Sequence, residues 1–470
     1  MKKLSSKIVN AWKFLRRNFG HWLLKFDVER FLTFGYISST PQRQLTMGYL
    51  SYFLIGGLLL CLPFMTHDGA PLLDNLFTSM SAISTTGLST VDVATVYTFW
   101  GQLTILLLIQ LGGIGYMTLS TFVMYRITRH FVGMRAKAFQ KQFAMLESVT
   151  AGNLVTNIVL YTFLFEAVGA LTLYGIFLHE GVSQPLWSAV FHSVSAFCTA
   201  GFSIYSDNLM QFTTNVPVNL VIMTLSYAGA MGFIVISDLW RKLTRRGYCI
   251  TFTTKVIVCI TVGITLWGTF HLYLFEPSFA GFMPGDRLLV SLFQTMSAMT
   301  TVGYNTIDVN ALMPVSLFVL TVVMYIGASP SGTGGGLKST TVSAVFAYVK
   351  SRLGLRREVT LAGRRIPDYR IYDALTIFVF YTVILFTGTY LLTLIESGRM
   401  EFLDLMFEAA SALGTVGLSS GVCFLLSAGG KVILIVLMFI GRVGVLTIGN
   451  AVLMQPGITE SEPQKDDLAV

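Results

Sequence analysis

Residues 293–304 read FQTMSAMTTVGY, and three other segments of the chain repeat the same pattern. These segments are FTSMSAISTTGL at 77–88, FHSVSAFCTAGF at 191–202 and FEAASALGTVGL at 407–418. All four share a phenylalanine ten residues before a glycine, a Ser-Ala pair six and five residues before it, and a threonine two residues before it. The glycines are Gly87, Gly201, Gly303 and Gly417, separated by 114, 102 and 114 residues. Four copies at such regular spacing indicate four structural repeats within one chain.

The composition is typical of a membrane protein. The chain has 470 residues, of which 53% are hydrophobic and 12% charged, whereas soluble domains average about 25% charged residues. A membrane-spanning helix needs about 20 mostly apolar residues. Several segments have this character, including 47–65, 102–125, 154–178, 217–237, 253–275, 372–395 and 430–453. Each glycine motif lies between two long apolar segments, so the repeat unit is a span, a short segment, a Thr-x-Gly loop and a second span.

Lysine and arginine are concentrated in alternate connections between the apolar segments. Residues 66–101 and 179–216 contain neither residue type, and residues 276–314 and 396–430 contain one basic residue each. The basic connections are 126–141, 241–255 and 350–370, together with the first 46 residues. Because basic connections stay on the cytoplasmic side, we expect both termini to be cytoplasmic in a multi-pass protein of the inner (cytoplasmic) membrane. The net charge of +8 therefore does not indicate a nucleic-acid partner.

The same features divide the chain into segments. Residues 1–46 are predicted to form a basic cytoplasmic segment, an interfacial amphipathic helix and not a signal peptide. The predicted pore repeats are 47–128, 152–240, 253–350 and 371–455, and residues 456–470 are predicted to be a cytoplasmic C-terminal tail.

The short segment before each glycine spans about 12 residues, too few to cross a membrane, so it is expected to be a re-entrant half-helix. Non-helical backbone at membrane depth is tolerated where it is buried in protein or lines a watery cavity. In the third copy of the motif, residues Thr301 to Tyr304 match the start of the potassium-channel filter sequence TVGYG. The carbonyl oxygens of that filter replace the hydration shell of a cation. Glycine permits the positive φ that turns successive carbonyls inward. The alternative is four helix-breaking turns, but four copies in register favour a filter.

We therefore predict an all-α polytopic membrane protein in which four span–pore-helix–span repeats, eight membrane spans in all, surround one pore with pseudo-fourfold symmetry. The predicted filter residues are Thr85, Thr86, Gly87, Thr199, Ala200, Gly201, Thr301, Val302, Gly303, Thr415, Val416 and Gly417.

On these motifs, residues 45–455 resemble the superfamily of K⁺ transporters that comprises the bacterial Ktr and Trk membrane subunits and the plant HKT proteins. The chain is most similar to the Ktr membrane subunit, because residues 1–46 lack the apolar runs of the extra N-terminal spans that Trk subunits carry. The resemblance implies transport of K⁺, bound at the filter residues. Some plant relatives that favour Na⁺ have serine in place of the first glycine, whereas this chain has Gly87. No organic cofactor is implied, and a role of Na⁺ as an activator stays open.

The resemblance also implies partners. A Ktr-type subunit forms a homodimer in the lipid bilayer and sits on a cytosolic ring of nucleotide-binding regulatory subunits. The basic cytoplasmic connections could meet an acidic partner, but nothing in the residues themselves shows the dimer or the ring.

The second span of the third repeat is interrupted by ASPSGTGGGLKSTT, residues 328–341. Its glycines and Pro330 break a helix. A phosphate-binding loop is not expected, because Leu337 and not glycine precedes Lys338. An ordinary kinked helix is one interpretation. The other, a mobile plug below the filter, agrees with the resemblance, because this position matches the intramembrane gating loop. The predicted gating residues are Ser329, Ser331, Gly332, Thr333, Gly334, Gly335, Gly336, Lys338 and Arg442.

Arg442 lies deep in the last predicted span, where basic residues are costly and usually functional. A positive charge near the pore axis would oppose the passage of cations, and the resemblance associates an arginine at this position with the gate. The alternative is a structural arginine that caps loop carbonyls or pairs with a carboxylate such as Glu408.

Other polar residues carry weaker signals. Asp92, Asp207 and Asp308 follow the first three glycines and either concentrate cations at an outer mouth or are solvated loop acids. His192 is expected to be packed in the protein interior, because no second metal ligand stands at a helical offset.

The expected function is channel-like K⁺ uptake driven by the membrane potential. The alternative is a Na⁺-coupled secondary carrier with broken helices and alternating access. The fourfold repeat and the scarcity of acids within spans, of which Glu166 is the clearest, argue against the carrier. An enzyme is not expected, because the sequence has no HExxH or GxSxG motif and no clustered His/Asp set.

Overall fold

The structure, a computed structural model, describes residues 41–115, 151–355 and 358–453. Most of the predicted N-terminal segment, the basic connection at 126–141, the end of the predicted span 102–125 and the predicted tail at 456–470 lie outside the described residues.

The described residues are mainly helical. In chain order the α-helices are α1 (Pro41–Leu60), α2 (Leu72–Ile83), α3 (Val93–Val96), α4 (Phe99–Ile114), α5 (Ala151–His179), α6 (Pro185–Phe197), α7 (Val216–Thr244), α8 (Phe252–Phe275), α9 (Pro284–Thr300), α10 (Pro314–Tyr325), α11 (Ser339–Leu353), α12 (Asp368–Ile395), α13 (Phe402–Leu413), α14 (Ala428–Val443) and α15 (Val445–Leu453). Single turns of 3₁₀-helix lie at Met210–Phe212, Pro277–Phe279, Val309–Ala311 and Val422–Leu425. A small antiparallel pair joins β1 (Thr360–Leu361) to β2 (Arg364–Arg365), with Thr360 opposite Arg365.

A short helix precedes each glycine loop. These helices are α2, α6, α9 and α13, of 12, 13, 17 and 12 residues. Pro185 and Pro284 begin α6 and α9, where a missing N–H costs nothing and the fixed φ suits a first turn. Asp74 and Asp404 lie in the first turns of α2 and α13, where a carboxylate complements the positive end of the helix dipole.

Four helices of the described residues are long and apolar enough to cross a membrane: residues Thr156–His179 of α5, and the whole of α7, α8 and α12. Leu45–Leu60 of α1, α4 and α10 are shorter apolar helices. Helix α10 ends where the glycine-rich sequence interrupts it, and α14 ends at Val443 because Gly444 adopts a φ of +92°. The arrangement of eight spans therefore stays a prediction for the other helices.

The short helices lie at the centre of the packing. The phenylalanines ten residues before each glycine, Phe77, Phe191, Phe293 and Phe407, are all 0% exposed. Many hydroxyl and amide side chains of the short helices are buried with them, whereas the long helices expose large apolar side chains such as Leu171, Leu266 and Phe386. Polar groups inside and apolar groups outside are the pattern expected when lipid covers the outer surface.

Candidate functional site

The four Thr-x-Gly loops share one unusual backbone conformation. The glycines have φ values of +96°, +63°, +81° and +96° in chain order. The threonines two residues earlier, Thr85, Thr199, Thr301 and Thr415, have φ values of +52°, +51°, +57° and +47°. Threonine rarely adopts this left-handed conformation, which costs about 1–3 kcal/mol and is found mainly at functional sites. Positive φ at the glycines follows from the sequence, whereas positive φ at the threonines is a finding of the structure.

The shared serine holds each loop against its helix. In every repeat the residue before the glycine donates its N–H to the carbonyl of the serine six residues before the glycine, at 2.8 Å in three repeats and 3.1 Å for Val302 and Ser297. The serine hydroxyl adds a second bond in one of two ways. Ser81 and Ser411 accept the glycine N–H at 3.0 Å. Ser195 and Ser297 donate to the carbonyl of the residue after the glycine. The sequence signalled this serine without revealing its role.

The four loops contact one another in cyclic order. A Cβ atom added to Gly87 would collide with the carbonyl oxygen of Ala200, and one added to Gly201 would collide with that of Val302. A Cβ added to Gly303 would meet the carbonyl of Val416, and one added to Gly417 would meet that of Thr86. Each glycine therefore faces the backbone oxygen of the next loop, and the fourth loop returns to the first. We call residues 85–87, 199–201, 301–303 and 415–417 the loop ring, and its four positive-φ threonines the ring threonines.

The non-helical residues 326–338 between α10 and α11, here called the glycine-rich segment, lie against the ring threonines. The segment starts two residues earlier than the predicted 328–341 and ends before Ser339, which begins α11. The Thr333 hydroxyl lies 3.0 Å from the Thr199 hydroxyl. The Gly335 N–H donates to Oγ1 of Thr301 at 3.0 Å, and a Cβ on Gly335 would collide with Oγ1 of Thr415. The segment therefore covers one face of the loop ring.

A break in α7 provides the acceptors that hold the glycine-rich segment. Gly232 has a φ of +75°, so carbonyls around it are released from the helical pattern. Ser329 donates its N–H to the carbonyl of Ala230 at 3.2 Å and its hydroxyl to that of Met231 at 2.6 Å. Thr333 donates its N–H to the carbonyl of Gly229 at 3.0 Å. Helix α7 thus anchors the glycine-rich segment between α10 and α11.

A similar break recurs in two other repeats. The sequence GGIG ends at Gly115, GAMG at Gly232 and GRVG at Gly444, and these final glycines have φ values of +81°, +75° and +92°. The first glycine of each tetrapeptide approaches the carbonyl at the end of the short helix of its own repeat. This Gly-x-x-Gly pattern was present in the sequence and was missed there. In the third repeat, GASP occupies the corresponding place at the start of the glycine-rich segment.

Arg442 joins three parts of the site. Its Nη1 donates to Oγ1 of Thr85 at 2.9 Å and to the carbonyl of Thr333 at 2.5 Å. Its Nη2 donates to the carbonyl of Gly112 in α4. The loop ring, the glycine-rich segment and α4 are therefore tied together by one guanidinium. Of the structural roles considered from the sequence, the capping of carbonyls is observed.

The other residues considered from the sequence have separate surroundings. Glu408 does not meet Arg442; its carboxylate accepts from Ser419 at 2.5 Å and from the Ser420 N–H at 3.0 Å. Lys338 donates to the carbonyl of Gly334 at 2.6 Å, a bond within the glycine-rich segment. Glu166 is buried and accepts both of its 3.0 Å bonds from Gln110.

Two of the acids that follow the glycines cap other helical turns, namely α3 and the 3₁₀ turn Val309–Ala311. Asp92 accepts the N–H of Ala94 at 2.9 Å, and Asp308 accepts that of Asn310 at 3.0 Å. His192 is fully buried between the Ser188 carbonyl and the Ser203 hydroxyl. Within the described ranges, His, Cys, Asp and Glu side chains form no group of three that could hold a metal ion.

Known cation transport proteins are similar in sequence to this chain over most of its length. The family of cation transport proteins called TrkH matches residues 56–456. The Ktr system potassium uptake protein B of Vibrio alginolyticus is 35% identical over 412 residues, covering 86% of this chain and 90% of the relative. The potassium/sodium uptake protein NtpJ of Enterococcus hirae is 30% identical over 435 residues, covering 90% of this chain and 95% of the relative.

A solved structure shares the fold. The crystal structure of the potassium transporter TrkH from Vibrio parahaemolyticus superposes with a TM-score of 0.69 at 21% identity, covering 87% of this chain and 85% of that one. The superfamily indicated by the sequence motifs is confirmed by the family match and by these relatives. The chain therefore belongs to the TrkH family of cation transport proteins, and it is not an enzyme.

Proposed function

We propose that the protein takes up K⁺ across the cytoplasmic membrane through the loop ring, which acts as a selectivity filter. The cyclic contact of the four glycines with the carbonyls of neighbouring loops carries the proposal. Such an arrangement concentrates backbone oxygens where four chain segments meet, and these oxygens can replace the water around a cation. The relatives named as potassium uptake proteins support K⁺ as the ion.

Uptake through a filter needs no coupling reaction. An inside-negative membrane potential supplies about 2.3 kcal/mol per charge for each 100 mV. The binding of a bare ion must be strong enough to offset the loss of its hydration shell and weak enough to allow release. The rigid loops, held by the shared serine, are suited to that balance because their carbonyls cannot collapse onto a smaller ion without breaking hydrogen bonds.

The glycine-rich segment acts as the gate in this proposal. It lies against Thr199 and Thr301, and it reaches Thr85 through Arg442, so an ion leaving the loop ring on that side would meet protein. Opening then requires the segment to move away from α7. Its hydrogen bonds to the carbonyls of Gly229, Ala230 and Met231 are among the contacts that must break.

The proposed topology follows the distribution of charge. Four pore repeats at 47–128, 152–240, 253–350 and 371–455 would place the loop ring toward the outside and both termini in the cytoplasm. Exposed basic residues at the end of α7, such as Arg241 and Lys242, support a cytoplasmic position for that end.

Partners belong to the same proposal. The relative from Vibrio alginolyticus is named as a component of a Ktr system, which supports a separate regulatory subunit for this chain. We infer a homodimer on a cytosolic nucleotide-binding ring, with the basic ends of α7 and α11 facing that ring.

The test is K⁺ uptake by a bacterium that lacks its own uptake systems. The parent should restore growth at low K⁺, and Gly303→Ser should not, because a side chain at Gly303 meets the Val416 carbonyl. The proposal would be contradicted if the parent restored growth but carried no K⁺ into the cells, or if Gly303→Ser restored growth fully.

A Na⁺-coupled carrier is the second candidate, because one relative is named a potassium/sodium uptake protein. Flux into liposomes at clamped voltage separates the two functions. A channel-like protein carries K⁺ in Na⁺-free buffer, and its flux reverses at the K⁺ equilibrium potential. A carrier requires the second ion.

A further inference from the structure

A buried polar side chain stands nine residues before the glycine in every repeat. The residue types differ: Thr78, His192, Gln294 and Glu408. All four are 0% exposed. They lie one residue after the shared phenylalanine, on the short helices, and none of them lines the loop ring. Burial of a polar group is costly unless it is hydrogen-bonded, so each needs a partner.

In the second, third and fourth repeats, the partner lies in the chain segment that follows the motif glycine. The Nε2 atom of His192 lies 3.0 Å from the hydroxyl of Ser203, two residues after Gly201. The amide of Gln294 donates to Oγ1 of Thr306, three residues after Gly303, at 3.2 Å.

The fourth repeat has the most extensive contacts of this kind. One oxygen of Glu408 accepts from the hydroxyl of Ser419 and the N–H of Ser420, two and three residues after Gly417, at 2.5 and 3.0 Å. The other oxygen lies 3.1 Å from the thiol of Cys423. A carboxylate that accepts several bonds holds its partners more tightly than neutral groups do.

In the first repeat, a residue one helical turn earlier makes the corresponding hydrogen bond to the chain after the glycine. Within the described part of the chain, the hydroxyl of Thr78 makes no hydrogen bond to the residues that follow Gly87. Asp74 is four residues earlier and therefore on the same helix face. Its carboxylate accepts from Oγ1 of Thr90, three residues after Gly87, at 2.7 Å.

We propose that Asp74, His192, Gln294 and Glu408, here called the clamp residues, are positioning residues that set the ion selectivity of the loop ring. The inference rests on the function proposed above. The shared serine fixes the inner part of each loop, and the clamp residue fixes the second and third positions after the glycine. Both ends of each loop are then anchored to the same short helix. The filter carbonyls between the anchors cannot shift independently, so their spacing is set for one ion size.

Among the clamp residues, substitution of Glu408 should change the ion selectivity more than substitution of His192 or Gln294. Glu408 accepts three hydrogen bonds from the chain after Gly417, whereas His192 and Gln294 each make one bond of this kind. Removing the Glu408 carboxylate should therefore free the outer end of the fourth loop while leaving the other three loops anchored.

The experiment measures reversal potentials of the full-length protein in liposomes with K⁺ on one side and Na⁺ on the other. Glu408→Ala should lower the K⁺/Na⁺ permeability ratio about tenfold, the effect expected from loss of bonds to a charged group. Glu408→Gln keeps an acceptor for Ser419 and Ser420, so it should recover part of the ratio. Glu401→Gln is the matched control, because Glu401 is exposed at the start of the same helix and its side chain makes no capping hydrogen bond, so its ratio should equal that of the parent.

A coupled variant tests the contact itself. Ser419→Ala should lower the ratio, and adding it to Glu408→Ala should cause little further loss, because the two residues share one interaction. Thermal unfolding of each purified variant is measured beside flux. Should Glu408→Ala fold poorly, Ser419→Ala and Gln294→Met supply the same comparison.

The outcomes separate the clamp from the proposed function. If the parent shows no preference for K⁺, the proposed filter is wrong. If the parent prefers K⁺ and the Glu408 and Ser419 variants conduct with an unchanged ratio, the clamp is overturned and the filter stands.

Discussion

Lys431 and Asp74 form a largely buried ion pair of 2.5 Å between residues that are 357 positions apart in the sequence. Lys431 lies in the first turn of α14 and Asp74 in the first turn of α2, so the pair joins the fourth repeat to the first. Arg442 meets Thr85 across the same boundary. The two basic residues of α14 are eleven positions apart, about three helical turns, and therefore share one face. Helix α14 therefore joins the fourth repeat to the first through one basic residue near each of its ends.

The ion pair should contribute to stability. Lys431→Met leaves Asp74 buried without its cation, and breaking such a pair typically costs about 3–5 kcal/mol. We expect the purified variant to unfold at a clearly lower temperature than the parent. The side chains of Lys431 and Asp74 are only 16% and 9% exposed, so screening by solvent is limited.

Exposed lysine provides the control for that measurement. Lys242→Met, at the exposed end of α7, should leave the unfolding temperature unchanged. Adding Asp74→Asn to Lys431→Met should restore part of the loss, because the uncompensated charge is removed. Equal unfolding temperatures for Lys431→Met and the parent would show that the pair is unimportant.

Arg442 should restrain the gate. Arg442→Gln removes the charge and weakens the bonds to Thr85 and to the carbonyl of Thr333. We expect basal uptake of Rb⁺ by cells to rise about tenfold, which corresponds to the loss of one charged hydrogen bond from the closed state.

Lys338 is the matched comparison for Arg442. Its ammonium bonds only to Gly334 among the described residues, within the same segment. Lys338→Gln should therefore change basal uptake less than Arg442→Gln. Unchanged uptake and unchanged regulation in Arg442→Gln would remove the arginine from the gating account.

The break in α7 at Gly232 should also stabilise the closed position of the glycine-rich segment, in which it lies against the ring threonines. Gly232→Ala places a methyl group against Ser331 and Gly332 and strains a φ of +75°. Because that conformation provides acceptors for the glycine-rich segment, we expect the variant to have higher basal Rb⁺ uptake.

Another helix glycine separates this effect from a general one. A Cβ on Gly175 in α5 would meet nothing within 4 Å, and its φ lies outside the left-handed region. Gly175→Ala should leave uptake unchanged. An equal response of both variants would argue against a specific role of the α7 break.

Much of this arrangement could be predicted because a few residue types were repeated at fixed offsets. The serine, threonine and glycine of each motif were visible in the sequence since their backbone roles admit few substitutes. The interrupted third span was visible because glycine and proline exclude a regular helix. Distances between the loops were not predictable, because they depend on packing between repeats.

The clamp residues were hidden for a different reason. Their role requires a hydrogen-bonding group and not a particular residue type, so His192, Gln294 and Glu408 share no letter. In the first repeat the role moves one helical turn, to Asp74. The Gly-x-x-Gly breaks were hidden by variable spacing, since GGIG, GAMG and GRVG begin 25, 28 and 24 residues after the motif glycines.

The loop ring should tolerate no side chain at its glycines. Gly417→Ala would direct a methyl group at the Thr86 carbonyl and should abolish K⁺-selective uptake. Gly285→Ala, where a Cβ would meet nothing within 4 Å, is the matched control in α9 and should behave as the parent. Selective uptake by Gly417→Ala at the parent rate would mean that the ring does not determine selectivity.

The most direct test of the account is the location of Rb⁺ in an experimental map of the protein, using its anomalous scattering. We predict a peak enclosed by the carbonyl oxygens of the loop ring, between Thr86, Ala200, Val302 and Val416. A map in which the four loops lie apart, or in which they meet around no Rb⁺ while the ion is bound elsewhere, would contradict the central claim.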